Sequence, residues 1–296
     1  GEAFDWAYGA PAALFGLAAA SSAAQVLLAL PTEGGAARRF LGLDGAAWRR
    51  YGIGAAWAFD CVYSFTQAPG TLLGAEDRDL IARTLLPPGG DVPALFFAVF
   101  FFLGIWPAVY AAALLPGARG QRVPAEPFVW GSFVWGAYGL APYLATRELR
   151  TSCPRRLGGA QQAVLQVLES KALACFLLAC ALALTAHACS NGSWGELAPW
   201  QALDALGPVY SVSAFAHLSC LDFVVLWALF PPVLLEDGRR RGVFAPGKPE
   251  GWALFAACAA LPCVGGALWL VVRPELAGAE VAAGDAGGKR RGRRVE

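Results

Sequence analysis

Three places in this sequence set ionisable side chains inside apolar stretches, where a charge is expensive and usually has a task. The richest reads Ser211-Val212-Ser213-Ala214-Phe215-Ala216-His217-Leu218-Ser219-Cys220-Leu221-Asp222. A charged group at bilayer depth costs about 2.5–3.5 kcal/mol on insertion scales, which makes it a functional candidate by default. At about 100° per residue, Ser213, His217 and Cys220 share one helix face, while Ser219 and Asp222 share another. His217 and Asp222 stand about 140° apart and look toward different neighbours. The sharp reading makes Asp222 a proton- or cation-handling carboxylate, with His217 as its relay or as a pigment or haem ligand. The plain reading is that both tie helices together by interhelical hydrogen bonds. The plain reading is favoured, because no second acidic span supplies a pathway.

The other candidates are weaker. His187, the second of only two histidines, falls at the end of an apolar block. It differs in depth from His217 by about two helical turns, so a lone interfacial histidine is expected rather than a shared metal or macrocycle. Asp60 lies in a short apolar stretch, where it either faces a cavity or, the favoured reading, snorkels from a shallow helix. Glu236-Asp237-Gly238-Arg239-Arg240-Arg241 reads as a solvated turn; docking of an acidic partner or lipid headgroup is the sharper alternative. Most of the eight cysteines (Cys175, Cys180, Cys220, Cys258, Cys263) sit in apolar blocks as small hydrophobes. No C-x-x-C pair, zinc spacing, P-loop, H-E-x-x-H or G-x-S-x-G is present. No catalytic residue, metal site or cofactor is therefore assigned, although a chlorophyll or other pigment on His217 or His187 stays open. Paired, broken short helices of the kind found in inverted-repeat transporters are not evident either.

The elements that must position these residues follow from composition. The chain has 296 residues, 57% hydrophobic and only 15% charged, against about 25% charged in soluble domains. The apolar mass is gathered in charge-free blocks, as bilayer-crossing helices of about 20 residues require. Six such blocks run Ala10–Leu30, Pro93–Leu115, Phe128–Thr146, Ala172–Ala188, Val209–Leu235 and Trp252–Val272. Pro231-Pro232 is expected to end or kink the fifth. Tyr51 to Gln67 is read as an interfacial or re-entrant helix, and the rest of Thr32 to Val92 as turns and mixed charge. Trp194 and Trp200 are expected as interface anchors.

Arginines and lysines cluster in 147–171 and 239–248, whereas 189–208 has none, placing the first two connections on the cytosol-like side. The basic tail (Lys289, Arg290, Arg291, Arg293, Arg294) does not fit a six-span count. The net charge of +1 argues against a nucleic-acid partner. The chain opens Gly1-Glu2-Ala3-Phe4-Asp5 with no basic n-region, so removal of a targeting segment beforehand is an expectation.

Three stretches together carry a resemblance: Gly104-Ile105-Trp106-Pro107-Ala108-Val109-Tyr110 running into Leu114 to Gln121; Ala141-Pro142-Tyr143-Leu144-Ala145-Thr146-Arg147-Glu148; and His217 to Phe223 followed by Phe230-Pro231-Pro232 and Glu236-Asp237. Over about the last two thirds, the chain resembles an uncharacterised family of multi-spanning membrane proteins found in cyanobacteria and plastids. The resemblance implies a thylakoid or plastid-envelope address and a transit-cleaved precursor, and no reaction.

The expected fold is an all-α, polytopic transmembrane helical bundle of about six spans plus one interfacial or re-entrant helix. Its parts are an N-terminal span with a hydrophilic segment (1–92), a five-span core (93–273) and a disordered basic tail (274–296). The expected function is a non-enzymatic structural or assembly factor of a plastid membrane complex, embedded in the lipid bilayer and meeting other subunits. The alternatives are a small-solute or ion transporter using Asp222 and His217, and a membrane enzyme acting on a lipid or pigment.

Overall fold

The computed structural model describes residues 6–29, 47, 49–86, 92–118, 120–150, 159–190, 197–244 and 249–276. The basic tail, Trp194 and Cys153 lie outside these residues. The described chain is all-α, with eleven α-helices. They are α1 (Trp6–Ala29), α2 (Gly54–Thr66), α3 (Ala75–Leu85), α4 (Ala94–Leu114), α5 (Glu126–Thr146), α6 (Gly159–Glu169), α7 (Lys171–Cys189), α8 (Pro199–Val212), α9 (Ala214–Arg240), α10 (Pro249–Ala260) and α11 (Val264–Val272). A π-helical turn, Arg49–Ile53, leads into α2, and a 3-10 turn, Leu115–Gly117, ends α4.

The expectation of six spans plus an interfacial helix is corrected here. Among the described residues only three helices are long and apolar enough to cross a membrane: 94–117, 171–189 and 214–240. Two of the other three apolar blocks are broken. In α1 the residues with described side chains run from Ala12 to Leu27, a shorter apolar stretch. The block at 128–146 lies in α5, which is broken at Gly136, where φ is 49° and ψ is −129°. The block at 252–272 is two helices, because Pro262 cannot donate to the helix ladder and Cys263 turns the chain with φ 60°. At about 1.5 Å per residue neither half covers a hydrocarbon core of about 30 Å.

The block at 209–235 departs from expectation in both directions. It is cut at Ser213, which is extended (φ −97°, ψ 117°) between α8 and α9. It is not ended by Pro231-Pro232, through which α9 continues to Arg240. The two prolines withdraw the helical hydrogen bonds to the carbonyls of Trp227 and Ala228. Apolar bundles tolerate this because neighbouring helices restore support. Tyr110 donates to the Leu226 carbonyl at 2.6 Å, and the Trp106, Tyr110 and Phe230 rings pack together at 5.3–5.7 Å.

Two helices organise the rest. α4 and α9 pack on each other and are mostly covered by protein, with 61% and 67% of their apolar windows buried, while α7 has only 22% buried and is peripheral. α1 lies along α9, α11 lies along α7, and α2 with its π-helical turn packs on α5. Gly52 makes that turn's approach to α1 feasible, since a Cβ there would stand 2.5 Å from Ser21 Oγ. The chain is a membrane protein with several apolar helices.

Candidate functional site

The break in α5 is where the buried carboxylates Asp222 and Asp60 come close to one helix. Gly136 adopts a mirror-β conformation open only to glycine. The break releases the Ala137 N–H from the helix ladder, and Asp222 Oδ1 of α9 accepts its hydrogen bond. Asp222 fills the space a side chain would need: a Cβ on Gly136 would lie 1.7 Å from Asp222 Oδ2. The carboxylate thus caps the N-terminus of the half-helix 137–146, where free N–H groups and the helix dipole favour negative charge.

One residue further on, Tyr138 Oη donates to Asp60 Oδ1 of α2 at 3.1 Å and lies 2.5 Å from Ser64 Oγ. Trp57 Nε1 donates to the Tyr138 carbonyl at 3.1 Å. Asp60 is 1% exposed, so it does not snorkel; it is a buried tie between α2 and α5. Among the described residues no ion pair joins Asp60 or Asp222 to a base.

His217 is fully buried, and both of its nitrogens are engaged. Nδ1 lies 3.2 Å from the Tyr210 carbonyl, and Nε2 lies 2.8 Å from Tyr63 Oη. A carbonyl can only accept, so Nδ1 carries the proton and Nε2 accepts from the Tyr63 hydroxyl. The ring is also covered by Tyr210 at 4.1 Å and Tyr63 at 5.6 Å. Ligation of a pigment or haem through this imidazole requires giving up one of these bonds. His187 is half-buried at the end of α7, edge-on to Phe97 at 5.3 Å; the two histidines therefore meet different neighbours.

Ser213 caps α9: its Oγ accepts from Ala216 N at 3.1 Å and donates to Asp77 Oδ1 at 2.6 Å. Asp77, 1% exposed, also accepts from Phe215 N at 3.2 Å and Leu73 N at 2.8 Å. Sequence reasoning missed Asp77. The available signal was the helix start Gly74-Ala75-Glu76-Asp77 with Asp79 and Arg83 four apart, which forms α3 and an exposed ion pair at 2.9 Å. Ser219 is buried on α9.

The arginine run is not a solvated turn. The Arg240 and Arg241 side chains are 1% and 0% exposed, and they join a buried ion network. Asp237 accepts from Arg240 (3.0 Å), Arg241 (2.9 Å), Trp269 Nε1 (2.9 Å) and Arg273 (3.2 Å). Glu169, at the end of α6, holds Arg241 and Arg273 at 2.7 and 2.9 Å. Glu236 pairs with Arg147 at 2.6 Å and Arg240 at 3.1 Å. Further donations reach the Ala112 and Ala113 carbonyls at the end of α4. Lys171 donates to the carbonyls of Val271 and Arg273, both at 2.7 Å. Arg147, Glu169, Lys171, Arg240 and Arg241 are thus gathered at one end of the bundle, locked to the ends of α4, α9 and α11. Arg239, beside them, is half-buried.

Among the described residues, no three His, Cys, Asp or Glu side chains converge as a metal-ligand set. The seven described cysteines are free thiols. Fold and site together describe an all-α membrane protein whose buried polar side chains join one helix to the next. Set against known protein families, curated proteins and solved structures, the chain matches none of them.

Proposed function

We propose that this protein is a non-enzymatic structural or assembly factor of a membrane complex. The observation that carries this reading is how the intramembrane polar groups are used. Asp222 holds the break in α5, Asp60 holds Tyr138, His217 has both nitrogens engaged, and Ser213 is fixed by Asp77. Each joins neighbouring elements of the bundle. Large apolar side chains meanwhile face outward, among them Phe65 (84% exposed), Val134 (76%) and Trp135 (67%), giving surfaces for lipid or neighbouring subunits. The resemblance at 104–121, 141–148 and 217–237 supports a plastid address, with the thylakoid or envelope as host membrane.

The test is purification from the native membrane in mild detergent, with mass spectrometry and an absorption spectrum on the same fraction. The reading predicts other membrane-complex subunits in fixed proportion. A protein that runs alone and colourless contradicts it.

A second reading has one specific observation in its favour. Asp60 and Asp222, both buried and without a basic partner among the described residues, close on residues 137 and 138 of a broken helix. Such breaks form ion sites where half-helix ends meet a substrate. Proton or cation transport through these two carboxylates predicts flux in reconstituted vesicles that is abolished in Asp222→Asn.

A further inference from the structure

Arg49, in the π-helical turn before α2, is only 7% exposed, and its Nε has no hydrogen-bond partner among the described residues. The charged groups acting on it are Arg147, Glu236, Arg50 and Glu148. Both acids are paired with other arginines. Glu236 Oε1 accepts from Arg150 N at 2.9 Å and Arg240 at 3.1 Å, while Oε2 faces Arg147 at 2.6 Å. Glu148 is over half exposed and pairs with Arg150 at 3.2 Å. Arg147 is itself 4% exposed, and its Nε has no hydrogen-bond partner among the described residues.

The imbalance extends over this whole end of the bundle. Arg49, Arg147, Arg240, Arg241 and Arg273 stand beside Glu169, Glu236 and Asp237 among the described residues, while the exposed Glu148 pairs with Arg150. Burial, and then the neighbouring Arg147, push the Arg49 guanidinium below the usual arginine range. A buried carboxylate can answer such a situation by taking up a proton. A guanidinium keeps its charge, and a buried charge needs a counter-ion.

We propose that Arg49 and Arg147 hold a phosphate group, supplied as the phosphodiester of an anionic lipid headgroup or as free inorganic phosphate. The planar guanidinium fork suits phosphate oxygens. Arg50 and Tyr51, beside Arg49 in the chain, are exposed, the tyrosine at 64%, so the turn that carries Arg49 lies at the protein surface. This end also carries the basic connections, and anionic lipid surfaces attract such clusters. The site is independent of the assembly and transport readings, since it involves neither Asp222 nor His217.

The test uses the full chain in mild detergent, titrated separately with phosphatidylglycerol, phosphatidylcholine and inorganic phosphate, reading the thermal midpoint and lipid adducts by native mass spectrometry. Phosphatidylglycerol is expected to raise the midpoint saturably and to give a one-to-one adduct, with no comparable effect of phosphatidylcholine. Arg49→Gln should weaken half-saturation by about tenfold or more, the loss of a charge-assisted contact. Arg83→Gln, in an exposed pair, should titrate like the wild type. Should inorganic phosphate alone raise the midpoint with the same dependence on Arg49, the site is confirmed with free phosphate as its source. A wild type that responds to neither anion overturns the proposal, as does an Arg49→Gln protein that titrates like the wild type. Should Arg49→Gln not fold, Arg49→Lys, which keeps the charge and loses the fork, takes its place with a smaller expected loss, and an unchanged titration again overturns the site.

Discussion

Replacing Gly136 by alanine attacks the junction on which the proposed role of Asp222 rests. The substitution has two separable consequences. Alanine at φ 49° and ψ −129° occupies a region essentially closed to L-residues, at about 1–3 kcal/mol. Its Cβ would also fall 1.7 Å from Asp222 Oδ2 and 2.3 Å from Cγ, so the carboxylate must leave the Ala137 N–H. Losing a hydrogen bond to a charged group costs about 1.5–3 kcal/mol. Together these give about 2.5–6 kcal/mol of destabilisation, a factor of about seventy or more in the folding equilibrium. The assay is reversible unfolding in mixed detergent and SDS micelles, followed by far-UV circular dichroism. A double variant with Asp222→Ala separates the two parts. It removes the collision while keeping the backbone strain, so its total should be smaller than the sum of the two single variants. A Gly136→Ala protein within about 0.5 kcal/mol of the wild type, the range of neutral surface changes, would refute the reasoning.

Three further outcomes follow from the same geometry. Asp222→Asn keeps an acceptor for the Ala137 N–H and should shift stability by less than about 1 kcal/mol, whereas Asp222→Ala should cost about 1–3 kcal/mol in the same assay. Asp237→Asn leaves Arg240, Arg241 and Arg273 short of their shared carboxylate and should cost about 3–5 kcal/mol, as for other broken buried pairs, read as an earlier thermal midpoint. Ser213→Ala removes the cap of α9 and the partner of Asp77; a loss of about 1–2 kcal/mol should appear with faster amide hydrogen exchange at Phe215 and Ala216.

Much of the architecture is legible in hydropathy. The charge-free blocks at 93–115 and 172–188 correspond to α4 and α7, and the stretch at 211–222 supplies Ser213, His217 and Asp222 to buried hydrogen bonds. What hydropathy cannot register is a backbone break. Gly136 counts as one neutral residue in a window average, yet its positive φ divides α5. Pro262 and Cys263 divide the last block in the same way. The reverse error occurs at Pro231-Pro232, where packing by Tyr110 and Phe230 carries α9 past a signal that ends most helices in water.

The charged residues were misjudged for a different reason. Asp60 and the run Arg239 to Arg241 were read by local neighbours alone, as snorkelling and solvated. Besides the local pairs of Arg240 and Arg241 with Glu236 and Asp237, Asp60 is held by Tyr138, 78 positions away, and Arg241 by Glu169, 72 positions away. Nothing in the spacing of one segment announces a partner supplied by another. Asp77 escaped notice because α3 is polar and short, and its first-turn carboxylate reaches α9 across 136 positions.

The central claim is that Asp222 and its neighbours hold the bundle together for an assembly role. It is tested most directly by native-gel migration of the tagged protein, extracted from its own membrane in mild detergent, with the wild type beside Asp222→Asn. The account predicts that both migrate in the same complex, well above the 31.0 kDa chain with its detergent, and that both carry the same partner subunits. A wild type migrating as the lone chain, together with an Asp222→Asn protein that folds normally but loses a proton or cation flux shown by the wild type, would contradict it.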